Sequence, residues 1–179
     1  MTIFIVKINH PLEQFELNNL PENRMDLVAR CVNAALWLDH AIRKNVEIIF
    51  HFSNNKVVKV KGNEIRQMRP DERNIASFFK HMLNGKKYPG IFLEEMSFYD
   101  LLKKFKSELI FILDKQGKDL SNYSRGHLES DVFVLGDDLG LKEFPENEFA
   151  FKKLKIGPES YLTSHCISFL NIYLDGLND

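Results

Sequence analysis

The 179-residue chain lacks the features of several protein classes. No apolar run approaches the roughly 20 residues needed to span a bilayer, and the apolar segment 2–8 lacks the basic leader and cleavage site of a signal peptide. The only two cysteines, Cys31 and Cys166, lie far apart in the sequence, so no disulfide is expected. These absences predict a cytoplasmic protein without a membrane partner, forming a single globular domain over residues 1–179.

Motifs for nucleotide phosphates and metals are also missing. There is no GxGxxG sequence after the first predicted strand and no GxxxxGKS/T loop, which argues against kinases, nucleotide hydrolases and ordinary dehydrogenases. The scattered histidines and the two distant cysteines have no metal-ligand spacing. We therefore expect no metal centre.

The net charge of −1 gives no reason to expect a polyanionic partner, but the charges are unevenly distributed. Residues 1–90 contain 14 Lys or Arg and 9 Asp or Glu, whereas residues 91–179 contain 10 and 16. Any RNA-binding surface is therefore expected in the first half, where Arg24, Arg69 and Arg73 are candidates to hold phosphates. Ordinary variation in surface charge explains the same asymmetry.

Strand-like and helix-like segments alternate along the chain. This alternation predicts an α/β fold with a largely parallel sheet covered by helices on both faces. Asn23 is a candidate N-cap for the first helix, and the segment 53–55 is typical of a hairpin turn. Strands are predicted over residues 2–8, 46–52, 56–60, 108–113, 131–135 and 152–156, and helices over 23–42, 70–85, 97–105 and 161–174.

Three loops are the first places to look for a ligand, because ligands of such sheets bind beyond the carboxyl ends of the strands. They cover residues 114–117, 136–140 and 157–160, and the glycines in the last two permit close approach of the backbone to a ligand. Each loop alone is equally typical of an ordinary turn.

Four segments become specific in combination and in order. They are residues 23–32 (NRMDLVARCV), 69–76 (RPDERNIA), 133–141 (FVLGDDLGL) and 157–167, which begins Gly-Pro and ends His-Cys-Ile. With these segments the sequence resembles the TrmY family of archaeal tRNA pseudouridine N1-methyltransferases, which belong to the SPOUT class. The resemblance implies a SPOUT-type knotted fold with a C-terminal trefoil knot, with the knot and the cofactor site at about residues 108–176, and a homodimer.

The resemblance also implies a cofactor, S-adenosyl-L-methionine, held mainly by backbone groups of the knot loops. The implied reaction moves its methyl group to N1 of pseudouridine at position 54 in the TΨC loop of tRNA. Cys166 is expected to line the pocket, because alkylation of nitrogen needs no covalent adduct with a thiol. The matching cofactor-binding positions are Leu113, Gly136, Ile156, Gly157, Pro158, Glu159, Ser160, Tyr161 and Cys166.

The N1 proton must leave during this reaction. Asp71 is the first candidate to accept it, with Arg24, Arg69 and Arg73 binding the RNA. The alternative is that Asp71 merely stabilises the N-terminus of its helix. Two other functions also stay open: a SPOUT methyltransferase acting on another RNA base, and a noncatalytic RNA-binding SPOUT module.

Overall fold

The structure is a computed structural model that describes residues 1–123, 132–142 and 144–176. Its centre is a seven-stranded sheet in the order β4-β3-β2-β1-β6-β5-β7. The strands are β1 (Thr2–Lys7), β2 (Val46–His51), β3 (Lys56–Lys61), β4 (Ile91–Glu95), β5 (Ile110–Asp119), β6 (Val132–Gly136) and β7 (Phe151–Lys155). The helices are α1 (Met25–Leu36), α2 (Glu72–Leu83), α3 (Phe98–Lys103) and α4 (Thr163–Gly176).

The sheet is mostly parallel, as predicted. β1 pairs in parallel with β2 and β6, and β5 pairs in parallel with β6 and β7. β2, β3 and β4 continue as antiparallel neighbours, so the predicted hairpin between β2 and β3 is confirmed. The apolar segment that opens the chain becomes a central strand, because such a strand is buried on both faces.

Helices cover both faces of the sheet. On one face Phe4 packs in a core with residues of α1, α2 and α4, and on the other Ile5 packs in a smaller core with Leu101 and Leu102 of α3. Phe4 and Ile5 are fully buried. Within the described ranges, no helix has both the length and the hydropathy of a membrane span.

The first helix is shorter than the sequence pattern predicts. Asn23 ends a preceding 3-10 turn and is not the N-cap; Arg24 occupies that position with a left-handed φ of 56° and no side-chain cap. The helix ends at Leu36 because Trp37 and Ile42 then form an antiparallel bridge. Leu38, which falls within the predicted helix 23–42, lies beyond the observed helix and is 44% exposed.

Two further differences concern the strands. β4 was not predicted, since it is an edge strand whose Phe92 and Leu93 are both exposed. β5 does not end in a loop at residue 114 but continues through a bulge, where its pairing with β7 shifts between Leu113 and Lys118. Asp114 shapes this bulge by accepting a hydrogen bond from the backbone N–H of Gln116 at 2.9 Å.

Candidate functional site

A cavity of about 740 Å³ opens at the carboxyl end of the sheet. The bulge of β5, the loop after β6 and the loop after β7 all contribute to its wall, and α1 and the start of α4 close it. The three loops singled out from the sequence are therefore neighbours in space. The volume lies within the range of about 300–1,000 Å³ typical of small-molecule sites.

Most of the positions predicted to bind the cofactor face this one cavity. Pro158 is the exception: it is exposed and does not line the cavity. The wall also contains residues that sequence reasoning missed, among them Arg30, Leu135, Leu162 and Thr163. The predicted positions that line the cavity are Leu113, Gly136, Ile156, Gly157, Glu159, Ser160, Tyr161 and Cys166.

The two loops differ in how strictly they require glycine. A Cβ atom at Gly136 would lie 2.3 Å from backbone atoms of Gly140 and Leu141, so only glycine lets this loop fold back on itself. A Cβ at Gly157 would meet only the ring end of the Tyr161 side chain, which is 44% exposed and can move aside.

Hydrogen bonds from two other elements fix the loop after β6. The buried Asp137 carboxylate accepts from the backbone N–H and the side-chain amide of Asn9, at the end of β1, and from the backbone N–H of Leu139. Thr163, the first residue of α4, donates its hydroxyl to the Gly136 carbonyl at 2.7 Å. This part of the cavity wall is thus held in place in the free protein.

A network of charged side chains forms the rim beside α1. Arg24 donates to the Asp138 carboxylate at 2.9 Å, and Asp26 accepts from Arg30 at 2.8 Å. The buried Nε of Arg24 has no hydrogen-bond partner within the described part of the chain. Arg24, Leu27 and Arg30 follow one another at intervals of three, a helical spacing that could have identified Arg30 from the sequence.

The structure does not bring Asp71 into the cavity. Asp71 is the N-cap of α2, and its carboxylate accepts a hydrogen bond from the backbone N–H of Asn74 at 2.7 Å. It is exposed, as are Arg69 and Arg73, and none of the three lines the cavity. The next residue, Glu72, is 3.7 Å from Arg30, so the N-terminus of α2 lies next to the rim.

Both cysteines are free and buried. Burial raises the pKa of the Cys166 thiol, and it also raises that of Cys31. A raised pKa keeps Cys166 in its neutral form at the cavity wall, which agrees with a pocket-lining role better than with a nucleophilic one.

The fold also brings together three possible metal-ligating residues whose spacing in the sequence did not predict a metal site. Ligand atoms of His10, Asp137 and Asp138 lie within 4.8 Å of one another. The Asp137 oxygens, however, already accept three hydrogen bonds, and Asp138 is paired with Arg24. The protein's own contacts therefore account for this cluster.

A mostly parallel sheet with a cavity walled by loops at its carboxyl edge places the chain among the α/β proteins with the fold of Nep1. The crystal structure of Archaeoglobus fulgidus Nep1 bound to S-adenosylhomocysteine superimposes with a TM-score of 0.69 at 12% identity, covering 99% of this chain and 98% of that one. The chain belongs to the family described as "Putative SAM-dependent RNA methyltransferase", which matches residues 1–178.

Curated relatives agree over the full length. The chain is 34% identical to the tRNA (pseudouridine(54)-N(1))-methyltransferase of Pyrococcus abyssi, covering 99% of this chain and 98% of that protein. It is 33% identical to the enzyme of the same name from Methanococcus maripaludis, covering 99% and 100%. The family resemblance drawn from the four sequence segments is confirmed.

Proposed function

We propose that this protein transfers the methyl group of S-adenosyl-L-methionine to N1 of pseudouridine 54 in the TΨC loop of tRNA. The observation that carries the proposal is the cavity at the carboxyl ends of β5, β6 and β7, where positions expected to hold the cofactor meet. The names of the full-length curated relatives support the same substrate.

The residues of the cavity suit the cofactor. Leu113, Leu135 and Ile156 offer apolar surface to an adenine ring, and charged side chains such as Lys153 and Glu146 are available to the methionine part. Bound S-adenosyl-L-methionine supplies an already activated methyl group. The task of the protein is then to align the acceptor nitrogen and to exclude water.

The remaining task is removal of the N1 proton, which we assign to Asp71, while Arg24, Arg69 and Arg73 hold the RNA. Asp71 lies outside the cavity of its own chain, so this assignment requires that substrate binding or a second subunit completes the site. We propose a homodimer through α4, whose Phe169 and Ile172 are 45% and 68% exposed. Burial of such apolar surface favours association.

The full proposal includes the fold and location implied by the family. We propose that residues 108–176 form a trefoil knot around the cofactor loops and that the enzyme acts in the cytoplasm. Single-molecule force extension of the intact chain, held at its two termini, would detect a knot, because a knotted chain cannot be extended to its full contour length.

Mass spectrometry of methylated tRNA tests the function directly. Two tRNA transcripts that differ only in carrying pseudouridine or uridine at position 54 are incubated with the protein and S-adenosyl-L-methionine. We expect N1-methylpseudouridine in the first and no methylation of the second. Methylation of any other nucleotide would assign a different base as substrate, and bound cofactor without methylation would indicate a noncatalytic RNA-binding protein.

A further inference from the structure

A second concave surface lies beside the cavity, on the far side of Lys153. It is an open groove of about 880 Å³ between β5 and the edge strand β7. Its walls are residues 116–118 of the β5 bulge, Asn122 and Tyr123 beyond that strand, and Lys152 and Lys153 of β7. Lys153 lines both spaces, so the groove adjoins the cavity.

The bulge and a glycine produce the shape of this groove. A Cβ atom at Gly117 would lie 2.5 Å from the backbone N of Leu154, so only glycine allows the two strands to approach here. Within the part of the chain that the structure describes, β7 has no strand on its outer side, and Lys152 is exposed. The Lys152 ammonium lies 5.6 Å from the centre of the Tyr123 ring, a cation–π contact.

The charge of the groove is positive among the residues that the structure describes. Lys118 and Lys152 line it and are exposed, and within the described ranges no carboxylate lies at ion-pair distance from either of them. Lys153 differs, because Asp114 and Glu146 lie 3.7 and 3.4 Å away on the cavity side. The described residues lining the groove include no acid.

We infer that these groove residues bind the phosphodiester backbone of the RNA substrate beyond the nucleotide that is methylated. The groove adjoins the cavity proposed to hold the methyl donor, which the target nucleotide must approach, so the RNA chain on one side of that nucleotide passes over the neighbouring surface. Lysine ammonium groups are suited to phosphates as point charges. The inference rests on the proposed function for the identity of the RNA, and it places an RNA-binding surface in the acidic second half of the chain.

A charge-matched pair of double variants tests the groove. The first is Lys118→Gln with Lys152→Gln; the control, Lys86→Gln with Lys87→Gln, removes the same charge elsewhere. The dissociation constant for tRNA is measured by filter binding from 50 to 300 mM salt, and S-adenosylhomocysteine affinity by calorimetry. We expect the groove variant to bind tRNA roughly tenfold more weakly, with a salt slope smaller by about 1 to 2.

The control should bind tRNA nearly as tightly as the wild type, and both variants should bind S-adenosylhomocysteine normally. Equal weakening in the two double variants, or an unchanged salt slope in the groove variant, would overturn the inference. Loss of binding to a polyglutamate peptide with intact tRNA affinity would instead assign the groove to an acidic protein segment. If the wild type binds tRNA without methylating pseudouridine 54, the proposed function fails, while the affinity data still decide the groove.

Discussion

Asn9 and Asp137 are joined by two hydrogen bonds, from the Asn9 backbone N–H at 2.6 Å and from its side-chain amide at 2.7 Å. Asp137 is only 7% exposed and also accepts from the backbone N–H of Leu139 at 2.9 Å. The carboxylate thereby ties the end of β1 to the loop after β6, which forms part of the cavity wall. A charged group this well satisfied is a structural anchor of the site.

Replacing Asp137 should lower the stability of the folded protein. Asp137→Ala leaves three partly buried N–H groups without their acceptor, and we expect a loss of about 2 kcal/mol in the free energy of unfolding, with weaker S-adenosylhomocysteine binding. Urea titration and calorimetry measure the two effects. The neighbouring Asp138→Ala, whose side chain is 38% exposed in its pair with Arg24, should lose at most about 1 kcal/mol. Similar losses in both variants would show that Asp137 has no special anchoring role.

His51 should make stability depend on pH. Burial, reinforced by the nearby charge of Lys7, lowers the pKa of His51 to about 4 from 6.5. Its Nδ1 lies 3.0 Å from Lys7 Nζ and its Nε2 lies 3.1 Å from the Met96 carbonyl, which fits a neutral ring. As pH falls from 6.5 towards 4, His51 binds a proton in the unfolded chain but stays neutral in the folded chain. The free energy of unfolding therefore decreases over this pH range.

We expect this histidine to account for a loss of about 2 kcal/mol between pH 7 and pH 5. Urea unfolding at the two pH values should show a smaller difference in His51→Gln than in the wild type. His40 is highly exposed, and His40→Gln should keep the wild-type difference. An unchanged difference in His51→Gln would assign the pH dependence to other groups.

The loop after β6 should also be sensitive to a single methyl group. In Gly136→Ala the added Cβ meets Gly140 and Leu141 at 2.3 Å, so the loop must open and S-adenosylhomocysteine affinity should fall at least roughly tenfold. Gly176→Ala is the control, because its Cβ would meet no atom within 4 Å. Isothermal titration of both variants tests this, and normal affinity in Gly136→Ala would show that the loop is dispensable for binding.

Local patterns in the sequence identified most of the fold. The apolar segment of β1, the turn between β2 and β3, and the acidic first turn of α2 each depend on neighbours in sequence, and each was predicted. β4 was not predicted because, among the described residues, it pairs only with β3, and it exposes both Phe92 and Leu93, so it lacks the alternation of a half-buried strand.

The candidate site could be predicted only in part, because its residues come from distant parts of the sequence. Loops at strand ends could be found, but the strand order that makes them neighbours depends on long-range pairing. The contact between Arg24 and Asp138 joins residues 114 positions apart, and no local pattern encodes it. The bulge of β5 looked like a loop because Asp114 and Gly117 are typical turn residues, although pairing with β7 resumes at Lys118.

Asp71 is an N-cap in the structure and a proton acceptor in our proposal, and the two roles can be separated by substitution. Its carboxylate accepts the Asn74 N–H at 2.7 Å. Asparagine and serine are good N-caps, so Asp71→Asn and Asp71→Ser should each change the free energy of unfolding by less than about 1 kcal/mol. Neither side chain can take up the N1 proton.

If Asp71 accepts that proton, turnover of pseudouridine-54 tRNA should therefore fall roughly 100-fold or more in both variants, with unchanged S-adenosylhomocysteine affinity. Raising the pH should partly restore the rate, because the substrate N1–H then ionises without a base. Asp71→Ala is the matched control for capping: it should lose about 1 kcal/mol of stability in addition to turnover. Near-wild-type turnover in Asp71→Asn and Asp71→Ser would limit Asp71 to capping and direct the search for the proton acceptor to Asp26 and Asp138 at the cavity rim.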